Sequence, residues 1–399
     1  MSDVPRPEPL PPLSEEEIAG RLFALRERWR NPGKEAGQKG MATLSRQTGF
    51  PPAHVHEALK RAFAPFTQRS IRRLVRLGRG PRAGSPWLLA ILAGRIPAVA
   101  VNALFWSLAA RVPLAVKSPG ALDAFTALLV RSLARMGGSL GPCVTHLTFP
   151  SGTGPMARLV ESAPLCLAYG SDHTFRAVTE ARRGRPTLGG GHRESFVVVF
   201  REALERDGVS HLARAIARDS AVYDQDGCLS PQAVLVEEGG GTSPRELARR
   251  IHDELVGMAR PLPPSIPPLE EAARLRIFAE ECRYTARASG GRVFPERGAP
   301  IPLVAVLPGQ PYRTGPGHRV LQVLPFCDEP DPARLLPSMS GHVQGVAVAG
   351  PRARLESLFE ADPGYRAGYV CAPGRLQRPP AVWAENGIII TKELARLAR

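Results

Sequence analysis

Asp219-Ser-Ala-Val-Tyr-Asp-Gln-Asp-Gly-Cys-Leu-Ser-Pro-Gln-Ala-Val-Leu-Val-Glu237 carries the chain from a helical pattern into an apolar strand through one turn-rich loop. Residues 210–219 repeat their apolar positions at helical spacing, and residues 232–238 form a β-branched run bounded by turn formers. Between them, Gly227 lets the backbone approach a neighbour closely and Pro231 fixes the direction of exit. Cys228 is thereby presented on a loop between helix and strand, where a thiolate can reach a substrate carbonyl. The plain alternative is an ordinary half-buried cysteine. The other five cysteines, at 143, 166, 282, 327 and 371, are scattered, with no CxxC pair and no zinc-type Cys/His spacing. Neither a disulfide framework nor a metal site is therefore expected.

Outward from this loop the same alternation continues in both directions. Apolar runs at 88–92, 112–116, 165–169 and 196–200 are separated by helical patterns at 99–110, 121–136, 155–161 and 172–181, the signature of an α/β fold. After residue 206 the pattern resumes. Ser243 caps a helix over 244–258, a Pro-rich connector leads to a helix near 270–289, and strands follow at 301–306, 318–325 and 343–349. Residues 1–85 read as a helical lead-in, with 1–13 disordered. Residues 86–205 read as a nucleotide-binding domain and 206–372 as a catalytic domain. A tail over 373–399 packs back or lies at a subunit interface, its Ile388-Ile389-Ile390 run extended as a strand. Residues 42–64 have a helix-turn-helix look, but His54, His56 and Lys60 are poor readers of base edges, so nucleic acid is not the expected partner.

The charge is +15, and with only five lysines it is almost all arginine. It permits anionic partners without choosing among nucleotide, acyl-CoA, acidic carrier protein and nucleic acid. The most apolar stretch, 87–116, is broken by Arg95 and Arg111, leaving about 15 clean residues against the roughly 20 that span a bilayer. The N-terminus is acidic and Pro-rich, unlike a signal peptide, so a cytoplasmic protein is expected.

The Asp219–Glu237 stretch closely resembles the active-site segment of the acyl-CoA reductase family. That family includes the fatty-acid reductase of bacterial bioluminescence and belongs to the aldehyde dehydrogenase superfamily. Four further blocks fall in the right order: Gly94-Arg-Ile-Pro97 with Leu114-Ala-Val-Lys-Ser118; Ala168-Tyr-Gly-Ser-Asp-His-Thr-Phe-Arg176; Gly191-His-Arg-Glu-Ser-Phe-Val-Val-Val199; and Gly374-Arg-Leu-Gln-Arg-Pro-Pro-Ala-Val-Trp-Ala-Glu-Asn-Gly387. The resemblance implies an aldehyde dehydrogenase-like α/β fold, a Rossmann-type cofactor domain beside an α/β catalytic domain. It implies reduction of a fatty acyl-CoA, or an acyl-carrier or acyl-protein thioester, to an aldehyde through a thioester on Cys228, in a homo-oligomer.

Carried over residue by residue, Lys117 would contact the adenosine ribose, with Ser118 and Gly120 beside it. Gly170 and Ser171 would flank the pyrophosphate, and Gly190 and Gly191 belong to the Leu-Gly-Gly motif. Gly120 stands where NAD-selective relatives often carry a glutamate, which favours NADPH. Arg95 replaces the asparagine expected as oxyanion donor, with Asn102 as the alternative. The glutamate that hydrolytic relatives carry near Leu-Gly-Gly has no counterpart in Pro186-Thr-Leu-Gly-Gly-Gly-His192. Two other readings stay open: a degenerate scaffold with little turnover, motivated by Arg95, and a helix-turn-helix DNA-binding protein.

Overall fold

Short apolar strands that alternate with amphipathic helices bury both faces of a parallel sheet, and this chain builds two such sheets. The computed structural model describes residues 5–31, 35–80, 86–150, 152–205 and 207–399. They form two compact units, one of residues 1–192 with 380–399 and one of residues 193–379.

The first unit begins with four helices, α1 (Glu15–Trp29), α2 (Glu35–Thr48), α3 (Pro52–Phe63) and α4 (Gln68–Leu77). Ser14 opens α1 with a reciprocal capping box to Glu17. Trp29 and Phe63 pack with Phe105 and Phe125 at the centre of this layer. His54 is buried beside Phe50, so the second helix of the helix-turn-helix look does not present it to a base. Then follow β1 (Leu88–Ile91), α5 (Ala98–Ala109), β2 (Leu114–Lys117), α6 (Asp123–Arg135), β3 (Val144–Leu147), α7 (Gly154–Ser162), β4 (Leu165–Tyr169), α8 (Asp172–Ala181) and β5 (Thr187–Gly190). The strands form an all-parallel sheet in the order β3-β2-β1-β4-β5. Its order reverses at β1, whose two neighbours are β2 and β4.

The second unit comprises β6 (Glu194–Val199), α9 (Val209–Ala221), β7 (Pro231–Glu237), α10 (Pro244–Gly257), α11 (Leu269–Ala288), β8 (Arg292–Phe294), β9 (Leu303–Val306), β10 (Val320–Phe326), α12 (Pro332–Leu335), β11 (Val343–Ala349), α13 (Arg352–Ala361) and β12 (Tyr369–Cys371). Its sheet runs β12-β11-β6-β7-β10-β9-β8, parallel except for β8 against β9. Every residue of β6 and β10 is buried, as expected of strands covered on both faces. At the end of β7 the fully buried Glu237 is held by Arg354 and Arg201, and the Arg354 guanidinium lies 4.2 Å over the Phe200 ring.

Three expectations are corrected here. Residues 194–199 were assigned to the nucleotide-binding segment ending at 205, but β6 pairs with β7 and β11, so the chain changes unit at His192–Arg193. Of the segment 1–13 read as disordered, residues 1–4 lie outside the described residues. Residues 5–13 carry no helix or strand but are tied down, with Glu8 N–H bonded to Pro142 O at 3.0 Å and the Cys143 thiol reaching Pro9 O. The Ile388–Ile390 run is not a strand: it leads into α14 (Ile390–Leu397), because Ile390 and Leu394 bury one helical face while Ile388 stays exposed.

Of the tail read over 373–399, residues 373–379 belong to the second unit and residues 380–399 pack on the first. Trp106 Nε1–H donates to Ala381 O at 3.1 Å, Asn386 Nδ2 to Gly189 O at 2.9 Å, and Tyr169 O–H to Glu385 Oε2 at 2.7 Å.

The buried Glu237 and the half-buried Glu385 each generate a stability prediction. Burial raises Glu237, but the hydrogen bonds from Arg354 and Arg201 outweigh it and hold the carboxyl down to about 2. Its contribution is therefore present above pH 4.5 and is lost as pH falls toward 2. Glu237→Gln should lower stability by about 3 kcal/mol at pH 7. Denaturant unfolding measures it, and an unchanged midpoint would refute the assignment. Glu385 has the opposite sign: burial lifts its carboxyl to about 7 against the Tyr169 bond, which favours the charged form. The folded state keeps a proton that the unfolded chain releases above about 4.5, so stability declines as pH rises from there to 7. Glu385→Gln should flatten that decline and exceed the unmodified protein near pH 8 by on the order of 2 kcal/mol. Parallel stability–pH curves for the two proteins would rule this out.

Candidate active site

Cys228 sits in the loop between α9 and β7 and is exposed. The other thiols divide differently. Burial pushes Cys143 and Cys166 up to about 11, and Cys282 and Cys371 up to about 12. Cys327 is exposed but donates to the Glu238 carboxylate, which raises it as well. All five are held further from the thiolate, the nucleophilic form, than an ordinary cysteine.

The loop that presents Cys228 is braced from several sides. Ser195 on β6, fully buried, donates its hydroxyl to Cys228 O at 2.7 Å and accepts Gly345 N–H from β11 at 3.0 Å. A Cβ at Gly345 would meet the tip of the Leu229 side chain at 2.8 Å, so that side chain would have to shift to admit one. Asp219 at the end of α9 accepts the N–H groups of Gly374 and Leu376, and Gln377 donates to Ser230 Oγ at 2.8 Å. The late block of sequence thus locks the loop in place. Gln225 donates to Pro231 O and Val320 O, both at 2.9 Å. Ser195, Asp219, Asp224, Gln225 and Gln377 were not singled out from sequence. Ser195 lies in the Gly191–Val199 block, Asp219, Asp224 and Gln225 in the Cys228 block and Gln377 in the late block, so their company was the available signal.

In the first unit, the candidate cofactor residues gather at the carboxyl ends of the strands, where open α/β sheets bind ligands at a switch in strand order. Lys117 closes β2, with Nζ bonded to Ser118 O at 2.7 Å. The Ser118 hydroxyl turns inward to Thr126 at 2.7 Å, and the residue is buried. Gly120 starts a short 3-10 turn, is exposed, and has open space where a Cβ would stand. Ser171 is the N-cap of α8, its hydroxyl accepting Thr174 N–H at 3.1 Å, and Asp172 accepts His192 N–H at 2.9 Å. That helix end is therefore capped by its own side chains. Gly190 lies in β5 opposite Tyr169 of β4, and a Cβ at Gly191 would strike the Asp172 carboxylate. Tyr169, Glu385 and Asn386 join this edge of the sheet through the tail, an arrangement that local sequence does not announce.

Arg95 lies in the loop after β1, at the switch in strand order. Its guanidinium donates to Thr48 O at 3.2 Å and stacks 4.6 Å over Phe50, so it fastens the helical lead-in. Asn102 lies inside α5. Among the described residues no group of three or more His, Cys, Asp or Glu is placed to hold a metal ion, and no helix is long and apolar enough to cross a membrane.

The structure is similar to solved aldehyde dehydrogenases. A Mycobacterium tuberculosis aldehyde dehydrogenase complexed with NAD+ matches with a TM-score of 0.69 at 15% identity, over 97% of this chain and 85% of that one. Aldehyde dehydrogenase 21 from Physcomitrella patens, in complex with the reaction product succinate, matches at 0.68 and 13% identity, over 96% and 84%. An NADP-dependent enzyme of E. coli matches at 0.65 and 17%, over 91% and 78%. These likenesses establish the fold, an aldehyde dehydrogenase-like α/β architecture. A comparison with curated proteins finds no match. Residues 81–397 match the family described as Acyl-CoA reductase (LuxC), which takes in the Cys228 loop, both sheets and the tail. This chain belongs to the acyl-CoA reductase (LuxC) family.

Proposed function

We propose that this chain reduces an activated fatty acyl group, held as acyl-CoA or an acyl-protein thioester, to the aldehyde with NADPH. The observation that carries the reading is the contrast among the thiols: Cys228 is exposed on a braced loop, whereas Cys143, Cys166 and Cys282 are buried, Cys371 is half-buried and Cys327 is bonded to a carboxylate. Family membership supports the acyl substrate. The Cys228 thiolate attacks the thioester carbonyl, the bond from that carbon to the CoA sulfur breaks, and CoA leaves as a thiol after taking up a proton. The acyl group stays on Cys228 as a thioester. The backbone N–H of Cys228 is the nearest donor for the oxyanion that develops. NADPH, when bound, supplies the hydride that converts the acyl carbon to the aldehyde oxidation level. Collapse of the resulting thiohemiacetal then returns the thiolate to Cys228.

For the cofactor, Lys117, Ser118 and Gly120 suit the adenosine ribose, and Gly170, Ser171, Gly190 and Gly191 suit the diphosphate and the adjoining edge. NADPH is supported by Gly120, which carries no carboxylate to repel a 2′-phosphate and has open space around a Cβ position. Slow hydrolysis is supported at β5, where Thr187 occupies the Leu-Gly-Gly segment and the neighbouring carboxylates are engaged, Asp172 by His192 N–H and Glu385 by Tyr169. One observation favours a second reading, a scaffold with little turnover. Arg95, which by the resemblance would take the oxyanion position, is committed to Thr48 and Phe50. The six free cysteines fit a reducing, cytoplasmic setting.

Acyl-CoA added without reductant should leave a long-lived acyl adduct on Cys228 that NADPH discharges as aldehyde, read by intact-protein mass spectrometry. Cys228→Ser should lower acyl reduction by at least about 1,000-fold and leave nucleotide affinity within about twofold, because a hydroxyl without a base is a far weaker nucleophile. An adduct on another cysteine, or rapid release of free acid, would overturn the reading. Cofactor choice has its own test. A Cβ at position 120 meets nothing within 4 Å, so Gly120→Glu should weaken NADPH binding about tenfold relative to NADH, by repulsion of the 2′-phosphate. Titration that finds NADH preferred by the unmodified protein would refute the Gly120 argument.

A further inference from the structure

Just before Cys228 the backbone does something unusual. Tyr223, Asp224 and Gln225 have φ of 63°, 49° and 63°, three successive side-chain-bearing residues in the left-handed region. Such residues persist only where the surroundings over-determine them, and they gather at functional sites. The surroundings here are specific. The Asp224 carboxylate is almost fully buried and pairs with the equally buried Arg319, whose Nε donates to Asp224 Oδ1 at 2.7 Å. The second carboxylate oxygen accepts Ser265 N–H at 2.7 Å, and Asp224 O accepts His318 N–H at 2.8 Å. Arg319 Nη2 donates to Leu262 O at 2.6 Å. His318 and Arg319 are themselves left-handed, with φ of 54° and 64°. Two strained turns, one leading to the nucleophile and one opening β10, are thus clamped together by a buried ion pair.

We infer that Asp224 and Arg319 are positioning residues for Cys228. A pair buried to this degree gains little net stability after desolvation, and its effect is to select one conformation. The conformation selected is the left-handed run. It turns the chain sharply between α9 and β7 and sets the direction in which Gly227 and Cys228 leave. Arg319 touches no reacting atom. It holds the fork to Asp224 and Leu262, and Asp224 holds the loop. Lysine at 319 would keep the charge but lose the two-pronged contact.

The acyl-transfer arm of the test rests on the function proposed above, and the exchange arm does not. In Arg319→Lys, amide hydrogen exchange at residues 226–230 should rise at least about tenfold, while α10, β9 and β11 exchange as before. Single-turnover acyl transfer to Cys228 should fall at least about tenfold, while alkylation by iodoacetamide, which needs no oriented approach, changes less than about threefold. Asp224→Asn, which keeps the shape of the side chain, should give the same pattern. If these variants do not fold, exchange in the unmodified protein decides. Residues 223–230 should then be protected to the level of β7, and protection no greater than that of an exposed loop overturns the proposal. Unchanged exchange in the variants overturns it too, as does loosening spread evenly through the unit, which would mark the pair as merely structural. Should the unmodified protein take up no acyl group, the reductase reading fails, and the exchange result still decides the positioning role.

Discussion

Three consecutive left-handed residues cannot hold themselves in place, since each sets its Cβ against the neighbouring carbonyl and would relax if left alone. At Tyr223–Gln225 the restraint is the ion pair of Asp224 with Arg319, withdrawn from water on both sides. The same two side chains also satisfy backbone groups of the Pro-rich connector, at Leu262 and Ser265, and Asp224 O takes the N–H of His318 in the turn that opens β10. One buried contact therefore ties the nucleophile loop, the connector and a central strand together. The remaining braces, Ser195 beneath Cys228 and Gln377 on Ser230, act on a loop whose course is already set.

The second unit thus keeps an exposed thiol on a rigid support. Reactivity needs access, whereas a well-defined approach of substrate needs immobility, and the two are reconciled by fixing the backbone while leaving the sulfur in the open. The other cysteines make the contrast clear, because burial that protects a core thiol also keeps it protonated. The first unit solves a different problem. A parallel sheet whose order reverses at β1 leaves a natural crevice at its carboxyl edge, and the tail closes over part of that edge through Glu385 and Asn386. Glycine at 120 leaves space there, and glycine at 191 avoids the Asp172 carboxylate.

Arg95 illustrates how one substitution can be read at two levels. By the family resemblance it stands where an asparagine is expected as oxyanion donor. In the fold it reaches back to Thr48 and Phe50 and fastens the lead-in helices to the sheet. A short amide at that position could make neither contact.

Hydrophobic periodicity by itself determined the interior elements. Residues 165–169, 172–181 and 343–349 coincide with β4, α8 and β11, because a strand buried on both faces or a helix with one apolar stripe leaves a pattern that local reading recovers. The strands that escaped notice are β3, β5, β8 and β12, and all four are edges of their sheets. An edge strand has one neighbour and less to bury, so Val144-Thr-His-Leu147 and Thr187-Leu-Gly-Gly190 carry no continuous apolar run. The Ile388–Ile390 run misled in the opposite way, since β-branched residues favour strands only where packing supplies a sheet, and here only Ile390 is buried, as the first residue of a helix. At the site, the sequence carried Cys228 and its turn, because glycine, proline and acidic residues mark a loop wherever they stand. Only the tertiary structure decided what holds that loop. Arg319, Ser195 and Gln377 come from distant parts of the chain, and a side chain's buried partner depends on which strands lie adjacent, a fact that no local pattern encodes.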